Sequence, residues 1–582
     1  MRFDVSAVPF SRFGSHMAIS YLRPGQPNHG VDEPEGLYLR CVHNGRSSNV
    51  FRIELGSVDD PLDFDIEAEP SLLVLRPRAA TKDSGLVEIS FESPDVLRVR
   101  ARRVPVRLSR DPNPSGGALP SSGRQWRLIV GSLPRKFLLD PISGDLDVNS
   151  PWQLVEGYGT KVHICPRVIA SFMPDIQSGE LEFAIESYES EVEGAPRTRS
   201  FDRCVQGNAA DFGAWLKVMP SAPAAYAPQR ELAAYVNWSS VVAAEGNYET
   251  PAMLMSKNWM VHAYNWDNYF NAWANSYAND EFAWNQFMLF FRHQHSTGAL
   301  ADYIDQFQTA FTYTKPPIHG WVLRHMMATM PSIDRKRLSQ VYEPLQAWTQ
   351  WWLTYHDDDG DGICQYNHGN DSGWDNASVF DVGQPVESPD LSAYLILQMD
   401  ALGEVAGKLG RRRDAVHWTK SADQMLGRLL EHSWRRDRFV APRSGDHQVD
   451  PNADSLILLL PLVLGSRLPE SVRRPMVARL REPGGFLTPF GLATENLRSP
   501  NYMTFGYWRG PIWAPSTLVI VDGLVQMGEK ALAREIARRF CDLCVRSGFA
   551  ENFDAVTGDP LCDKAYTWTS SIFAILTRDY LR

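Results

Sequence analysis

Apolar residues change their spacing once along this chain, and that change constrains the fold more than any other feature. Up to about residue 220 they fall in short alternating runs. Examples are Leu37-Tyr38-Leu39-Arg40-Cys41-Val42, Val87-Glu88-Ile89-Ser90-Phe91 and Trp126-Arg127-Leu128-Ile129-Val130. Clusters of Gly, Pro, Asp and Ser separate the runs. Period two with turn residues between is the pattern of an antiparallel β-sandwich. Residues 107–124, rich in Pro, Ser and Gly, read as a mobile loop. Residues 219–228 are rich in Pro and Ala, the composition of a semi-rigid linker. Beyond them the period becomes helical, over residues 232–244, 282–293, 335–355, 391–409, 414–431, 469–480, 513–525, 531–546 and 566–576. With less regular segments between, roughly ten to twelve helices are expected. The organisation is therefore a β-sandwich domain over 1–220, a linker at 221–228 and a helical domain over 229–582. No repeat of roughly 34 or 40 residues supports an elongated solenoid. The segments richest in chemistry fall in the connections between helices, which suits an α/α barrel or toroid with functional loops at one end.

Bulk properties exclude several classes. Net charge is −11, spread along the chain, so nucleic acid is not the expected partner. Residues 411–413 are three arginines at a helix end, read as solvated. Seven widely scattered cysteines make no disulfide framework. Cys541 and Cys544 form a C-x-x-C inside a helical run, without a second pair at zinc-finger spacing. No stretch approaches the ~18 apolar residues of a membrane helix. The first residues include an early acid and no long apolar run, so no signal peptide is expected. A soluble, cytoplasmic protein without membrane contact follows as an expectation. Of the 18 tryptophans, 15 lie after residue 230, many beside Asp, Asn or Tyr. Aromatic faces with polar neighbours suit sugar rings; core filling is the other use of Trp.

Six segments carry the chemistry. In 258–270, Trp266, Asp267 and Asn268 offer a stacking face, a carboxylate and an amide. In 315–321, two prolines fix a loop bearing His319 and Trp321. Residues 357–362, Asp-Asp-Asp-Gly-Asp-Gly, match the start of a calcium loop, but its twelfth position is His368 where a bidentate Glu is needed. No bound metal is expected there. The run 370–376, Asn-Asp-Ser-Gly-Trp-Asp-Asn, presents two acids, Asp371 and Asp375. Trp374 beside Asp375 supplies apolar bulk that favours a protonated carboxyl. Glu387 and Asp390 precede a helix, where N-capping by Ser388 or Asp390 competes with a binding role. In 507–513, Arg509 sits between Trp508 and Trp513. Last come Glu551 and Asp554, followed by Tyr566 and Trp568. A protonated acid and an ionised base set among aromatics are what glycoside hydrolysis requires.

On five of these motifs the chain resembles glycoside hydrolase family 63, the related trehalases of family 37, and bacterial mannosylglycerate hydrolase-like enzymes. They are Asn-Trp-Asp-Asn-Tyr-Phe (265–270), Pro-Pro-Ile-His-Gly-Trp (316–321), His-Gly-Asn-Asp-Ser-Gly-Trp-Asp-Asn (368–376), Tyr-Trp-Arg-Gly-Pro-Ile-Trp (507–513) and Glu-Asn-Phe-Asp (551–554). The resemblance covers roughly the last 350 residues. It implies an (α/α)6 barrel and inversion at an α-glycosidic bond. It maps the general acid onto Asp375 and the general base onto Glu551, with Trp266, Asp267, Trp374, Arg509 and Trp513 lining the sugar subsite. The arginine-rich signatures of trehalases are missing, which argues against a trehalase.

The expectation is thus an inverting, exo-acting α-glycosidase acting on a small α-linked carbohydrate, an α-glucoside, without a cofactor. Asn268, His319, Trp321, Asp371, Glu387, Tyr566 and Trp568 join the substrate-binding set. Two other readings compete. A sugar isomerase or epimerase would use paired histidines among His262, His293, His295, His319 and His368. A non-catalytic sugar-binding protein would not need two carboxylates in this setting.

Overall fold

The computed structural model describes residues 1–26, 33–43, 46–78, 85–110, 116–157, 159–192 and 197–582. The chain clusters into two compact units: 1–217 with 234–261, and 218–233 with 262–582.

The first unit is built on two large antiparallel sheets. One runs in the order Met17–Leu22, Gly36–His43, Arg46–Gly56, Val106–Arg110, Val168–Met173, Asp145–Asn149, with Pro61–Leu62 on the third strand. The other runs Gly117–Pro120, Trp126–Ile129, Lys136–Ser143, Glu180–Tyr188, Val96–Arg102, Leu86–Ser93, Leu72–Pro77, Phe64–Glu69. Their inner faces share one apolar core that includes Leu39, Ile53, Leu108, Ile89, Val99 and Ile185. Phe172 of the first sheet stacks on Phe183 of the second, with ring centres 3.7 Å apart. Alternation explains this. Along Leu72–Pro77 every second side chain is buried, so one face is apolar and the other meets water.

Two details depart from the sequence reading. Residues 107–110 and 117–120 of the expected loop are strands, and 111–115 lie outside the described residues. The stretch before residue 220 also contains a helix, α1 (Phe201–Val218). It buries Phe201, Cys204, Asn208, Phe212 and Trp215, a helical spacing rather than an alternating one. Residues 234–261 return to the first unit because their side chains complete it. The fully buried Lys257 donates to the Ser11 hydroxyl and to the carbonyls of Ser15 and Val241. Burial pushes that ammonium well below its ordinary pKa.

The helices that follow are α2 (Ala227–Ser239), α3 (Asn265–Asn275), α4 (Asp280–Arg292), α5 (His319–Thr329), α6 (Arg335–Tyr355), α7 (Pro389–Leu409), α8 (Arg412–Ser433), α9 (Glu470–Leu480), α10 (Ala514–Gln526), α11 (Lys530–Ser547) and α12 (Thr567–Asp579). A run of 3-10 turns, Leu456–Arg467, lies between α8 and α9. Every residue of α3 is buried, and nearly all of α7, α10, α12 and 456–464. By contrast α4, α6, α8, α9 and α11 each bury a single face. Buried all round means inner; one-faced means outer. The inner elements pack in succession: α3 on α5, α5 on α7, α7 on 456–467, that run on α10, α10 on α12, and α12 on α3. Among the described residues no helix is long and apolar enough to cross a membrane.

Candidate active site

The motif loops converge at the N-terminal ends of the inner helices. Tyr264 caps α3, Tyr566 caps α12, and Trp513 precedes α10. A short three-stranded sheet, Ile512–Trp513, Asn552–Phe553 and Pro560–Leu561, joins the last two motif segments.

Glu551 is buried, and the Tyr507 hydroxyl donates to its Oε1 at 3.0 Å. Its backbone amide donates to the Asp563 carbonyl at 2.7 Å. Burial first, then the nearby Asp563 and Asp375 charges, push the Glu551 carboxyl up to about 8, while the Tyr507 hydrogen bond holds it lower. Tyr507 has a backbone φ of +61°, a conformation side-chain-bearing residues rarely adopt. Its carbonyl accepts from the Trp513 indole at 2.9 Å, which holds the turn.

Asp375 is half-buried. Burial raises its carboxyl, and the Lys315 ammonium opposes the rise. Asn376 anchors the Asp375 loop to the Tyr507 loop. Its amide donates to the Gly506 carbonyl at 2.9 Å, and its oxygen accepts from the Trp508 amide at 3.0 Å. An unbroken chain of contacts thus runs from Asp375 through Asn376 and Trp508 to Tyr507 and Glu551. Gly373, two residues before Asp375, has φ +69°, and a Cβ there would lie 2.6 Å from the Trp266 ring. The loop can take its course only with glycine at this point.

Five tryptophans from the motif segments pack together. Trp508 stacks on Trp513 at 3.9 Å, Trp374 lies 4.6 Å from Trp508, and Trp568 stands edge-on to Trp513 and Trp266. Each is at most 4% exposed, so they form one dry aromatic cluster within the motif segments. Asp267, buried in the first turn of α3, is pushed well above its ordinary range by burial, against Lys315. Lys315 Nζ lies 3.0 Å from Asp302 Oδ1 and donates to the Asn370 carbonyl at 2.8 Å. Burial raises the Asp302 carboxyl as well. Asp267, Asp302 and Asp375 thus all face one ammonium.

Other candidates hold the frame. Asp371 accepts from the Thr314 and His368 amides at 3.0 and 2.9 Å, so both its oxygens serve the backbone. His319 is fully buried and bonded to Asn265 and the Trp348 indole, and burial holds it well below its usual pKa. Asn268 donates to the Gln286 carbonyl. The Trp321 indole donates to Asp522 at 2.8 Å, alongside His325. Arg509 forks onto Asp381 and donates to the Asn376 carbonyl, which supports the loop that carries Asp375. Glu387 sits with His432, His447 and Asp361. Ser388 occupies the N-cap position of α7, but its hydroxyl donates to Asp390. Tyr507, Asn376, Lys315, Asp302 and Asp563 were not among the sequence candidates. Of these, Lys315 and Tyr507 open segments that the sequence did single out.

Comparison with known proteins gives a family. Residues 260–569 match the model described as "Mannosylglycerate hydrolase MGH1-like glycoside hydrolase domain". A probable mannosyl-oligosaccharide glucosidase of Schizosaccharomyces pombe is 27% identical over 241 residues, 37% of this chain and 30% of that protein. The curated relatives named first are matched over less than a third of their own length. The crystal structure of a GH63 mannosylglycerate hydrolase from Thermus thermophilus, in complex with Tris and D-glycerate, superimposes with a TM-score of 0.54. It is 19% identical and covers 60% of this chain and 100% of that one. A bacterial glucoamylase complexed with acarbose has a TM-score of 0.62 at 11% identity, covering 100% of this chain and 97% of the other. These structural likenesses bear on the fold.

Proposed function

Because the chain belongs to the family of mannosylglycerate hydrolase MGH1-like glycoside hydrolases and is a glycoside hydrolase, we propose that it is an inverting, exo-acting α-glycosidase, with Asp375 as general acid and Glu551 as general base. Asp375 gives its proton to the glycosidic oxygen as the bond to the anomeric carbon breaks. Water adds to the opposite face of that carbon and yields its proton to the Glu551 carboxylate. Exchange with solvent then returns a proton to Asp375 and removes one from Glu551. The observation that carries this reading is the chain from Asp375 through Asn376 to Tyr507 and Glu551, which joins the two motif carboxyls in one framework.

The two carboxyls share protons as a pair, because each charge acts on the same buried space. Catalysis needs the state with one proton, held on Asp375. Asp267 and the half-buried Tyr264 and Tyr507 are placed to receive sugar hydroxyls. The helical unit is proposed as an (α/α)6 barrel. Its support is the closed succession of six inner elements, with one-faced helices packed on α3, α7, 456–467, α10 and α12. The first unit is proposed as a β-sandwich, as expected from its shared core.

The substrate is proposed as a small α-glucoside. An α-mannoside of glyceric acid is the second reading, favoured by the description of the matching family. A panel of α-glucosides and α-mannosides, with the anomer of the released sugar followed by NMR, tests both. First release of the β-anomer supports inversion; first release of the α-anomer overturns it. D375N and E551Q should each lose about 10²–10⁴ in kcat and keep wild-type circular dichroism. Full activity in either removes the role assigned to that residue.

A further inference from the structure

A cavity of about 460 Å³ lies in the helical unit, toward the C-terminal ends of α5, α7, 456–467 and α10. The motif loops sit at the other ends of the inner helices, so this cavity is separate from the two carboxyls. Its size falls within the roughly 300–1,000 Å³ of small-ligand sites.

At its floor, Asp522 stands in the apolar α10 and is 3% exposed. A carboxylate buried there needs donors, and it has three. Its Oδ2 accepts from the Trp321 indole at 2.8 Å and from His325 Nε2 at 3.1 Å, and its Oδ1 accepts from the Tyr580 hydroxyl at 2.9 Å. Burial works to raise this carboxyl, but His325, Trp321 and Tyr580 outweigh it and hold the group below its ordinary range. Trp273 of α3 stacks on the His325 ring at 4.0 Å. The imidazole is thus fixed, with Nε2 spent on Asp522. Its Nδ1 has no partner among the described residues, and the ring lines the cavity. Trp321, expected among the substrate-binding residues, instead orients the carboxylate that holds His325.

The charges on the cavity walls come in pairs. Arg324 Nε lies 3.3 Å from Glu404 Oε2, and Arg467 bridges Asp400 and Asp423. A free ion would meet its own sign in every pair. Ser466 and Gln526, both exposed, also line the cavity, and each can donate and accept. Hydroxyl groups are donors and acceptors at once, so they match walls of this mixed kind. We propose that the cavity binds a neutral polyhydroxyl ligand, a monosaccharide or polyol, with His325 Nδ1 as one of its contacts. One occupant would bridge α5, α7 and α10, whose opposite ends follow the Lys315, Asp375 and Tyr507 segments.

The test uses full-length protein with ¹⁵N-labelled histidine and needs no turnover, so its outcome is independent of the assigned acid and base. D-glucose, D-mannose and glycerol are each titrated to high millimolar concentration. The His325 Nδ1 resonance, identified by its loss in H325Q, should move saturably with at least one of them. S466W places an indole at an exposed edge of the cavity. It should weaken that response about tenfold or more while kcat/KM stays at the wild-type value. Q526W repeats the measurement from α10, and circular dichroism checks that each variant is folded. No saturable response to any of the three compounds overturns the proposal. A response to sulfate or phosphate alone overturns it as well, because the cavity would then be an anion site. So does a sugar response that S466W and Q526W both leave at wild-type strength.

Discussion

Tyr507 does two things that no other residue of the site combines. It holds a left-handed backbone, which costs about 1–3 kcal/mol, and it aims its hydroxyl at Glu551. That hydrogen bond favours the ionised carboxylate, so Y507F should raise the Glu551 pKa from about 8. On the proposed mechanism, kcat/KM should follow a bell-shaped profile whose alkaline limb, near pH 8, reports loss of the pair's last proton. In Y507F that limb should move to higher pH. Meanwhile kcat at the optimum should fall, because more of the shared proton rests on Glu551. A wild-type profile in Y507F would show that the contact has no catalytic part. At this scale the sequence shows which residues carry chemistry and hides what each one does. Asp371 and Asp375 stand in one run, and only geometry separates them: Asp371 spends both oxygens on backbone amides. His319 and Trp321 lie in a motif, yet their polar atoms face buried neighbours. Asn376 and Lys315 act across more than 50 positions, beyond what local spacing can reveal.

Helices are the level at which the sequence was most legible. Expected spans at 335–355 and 391–409 correspond to α6 (Arg335–Tyr355) and α7 (Pro389–Leu409). One-faced helices announce themselves through period 3.6, so the outer set was readable. The inner α7, α10 and α12 were also expected, at 391–409, 513–525 and 566–576. The inner α3 and α5 were not: α3 is buried along its whole length with no polar stripe to mark the period, and α5 is short, with a buried first half. Their starts were instead recognised as motifs. The loop between helices has its own requirement at Gly373. Any side chain there meets a positive φ and the Trp266 ring at 2.6 Å. G373A should therefore displace the Asp375 loop, lowering kcat at least tenfold while costing about 1–3 kcal/mol of stability. Equal activity with lower stability would mean that Trp266 yields and the loop keeps its course.

The whole molecule bears an electrostatic cost for this site, and pH reveals it. Glu551 is pushed from 4.5 in its ordinary state to about 8 in the folded chain, chiefly by burial. A folded carboxyl with a raised pKa binds a proton that the unfolded chain has already released. Between pH 4.5 and 8 the folded state thus holds more protons, and stability falls as pH rises through that window. Replacing the acid with a neutral isostere removes the dependence. E551Q should match wild type in thermal stability near pH 4. It should exceed wild type at pH 8 by an amount on the order of a few kcal/mol. Asp267, Asp302 and Asp375 are raised in the same direction, so D375N should show a smaller gain of the same sign, because Lys315 already relieves that carboxyl. Thermal unfolding of the three proteins across pH 4–8 measures this directly. A dead E551Q that gains stability toward alkaline pH marks a charge held for chemistry at the expense of the fold. An E551Q less stable than wild type at pH 8 would instead make Glu551 a structural acid, held by Tyr507 and Asp563 for the sake of the short sheet at 551–563.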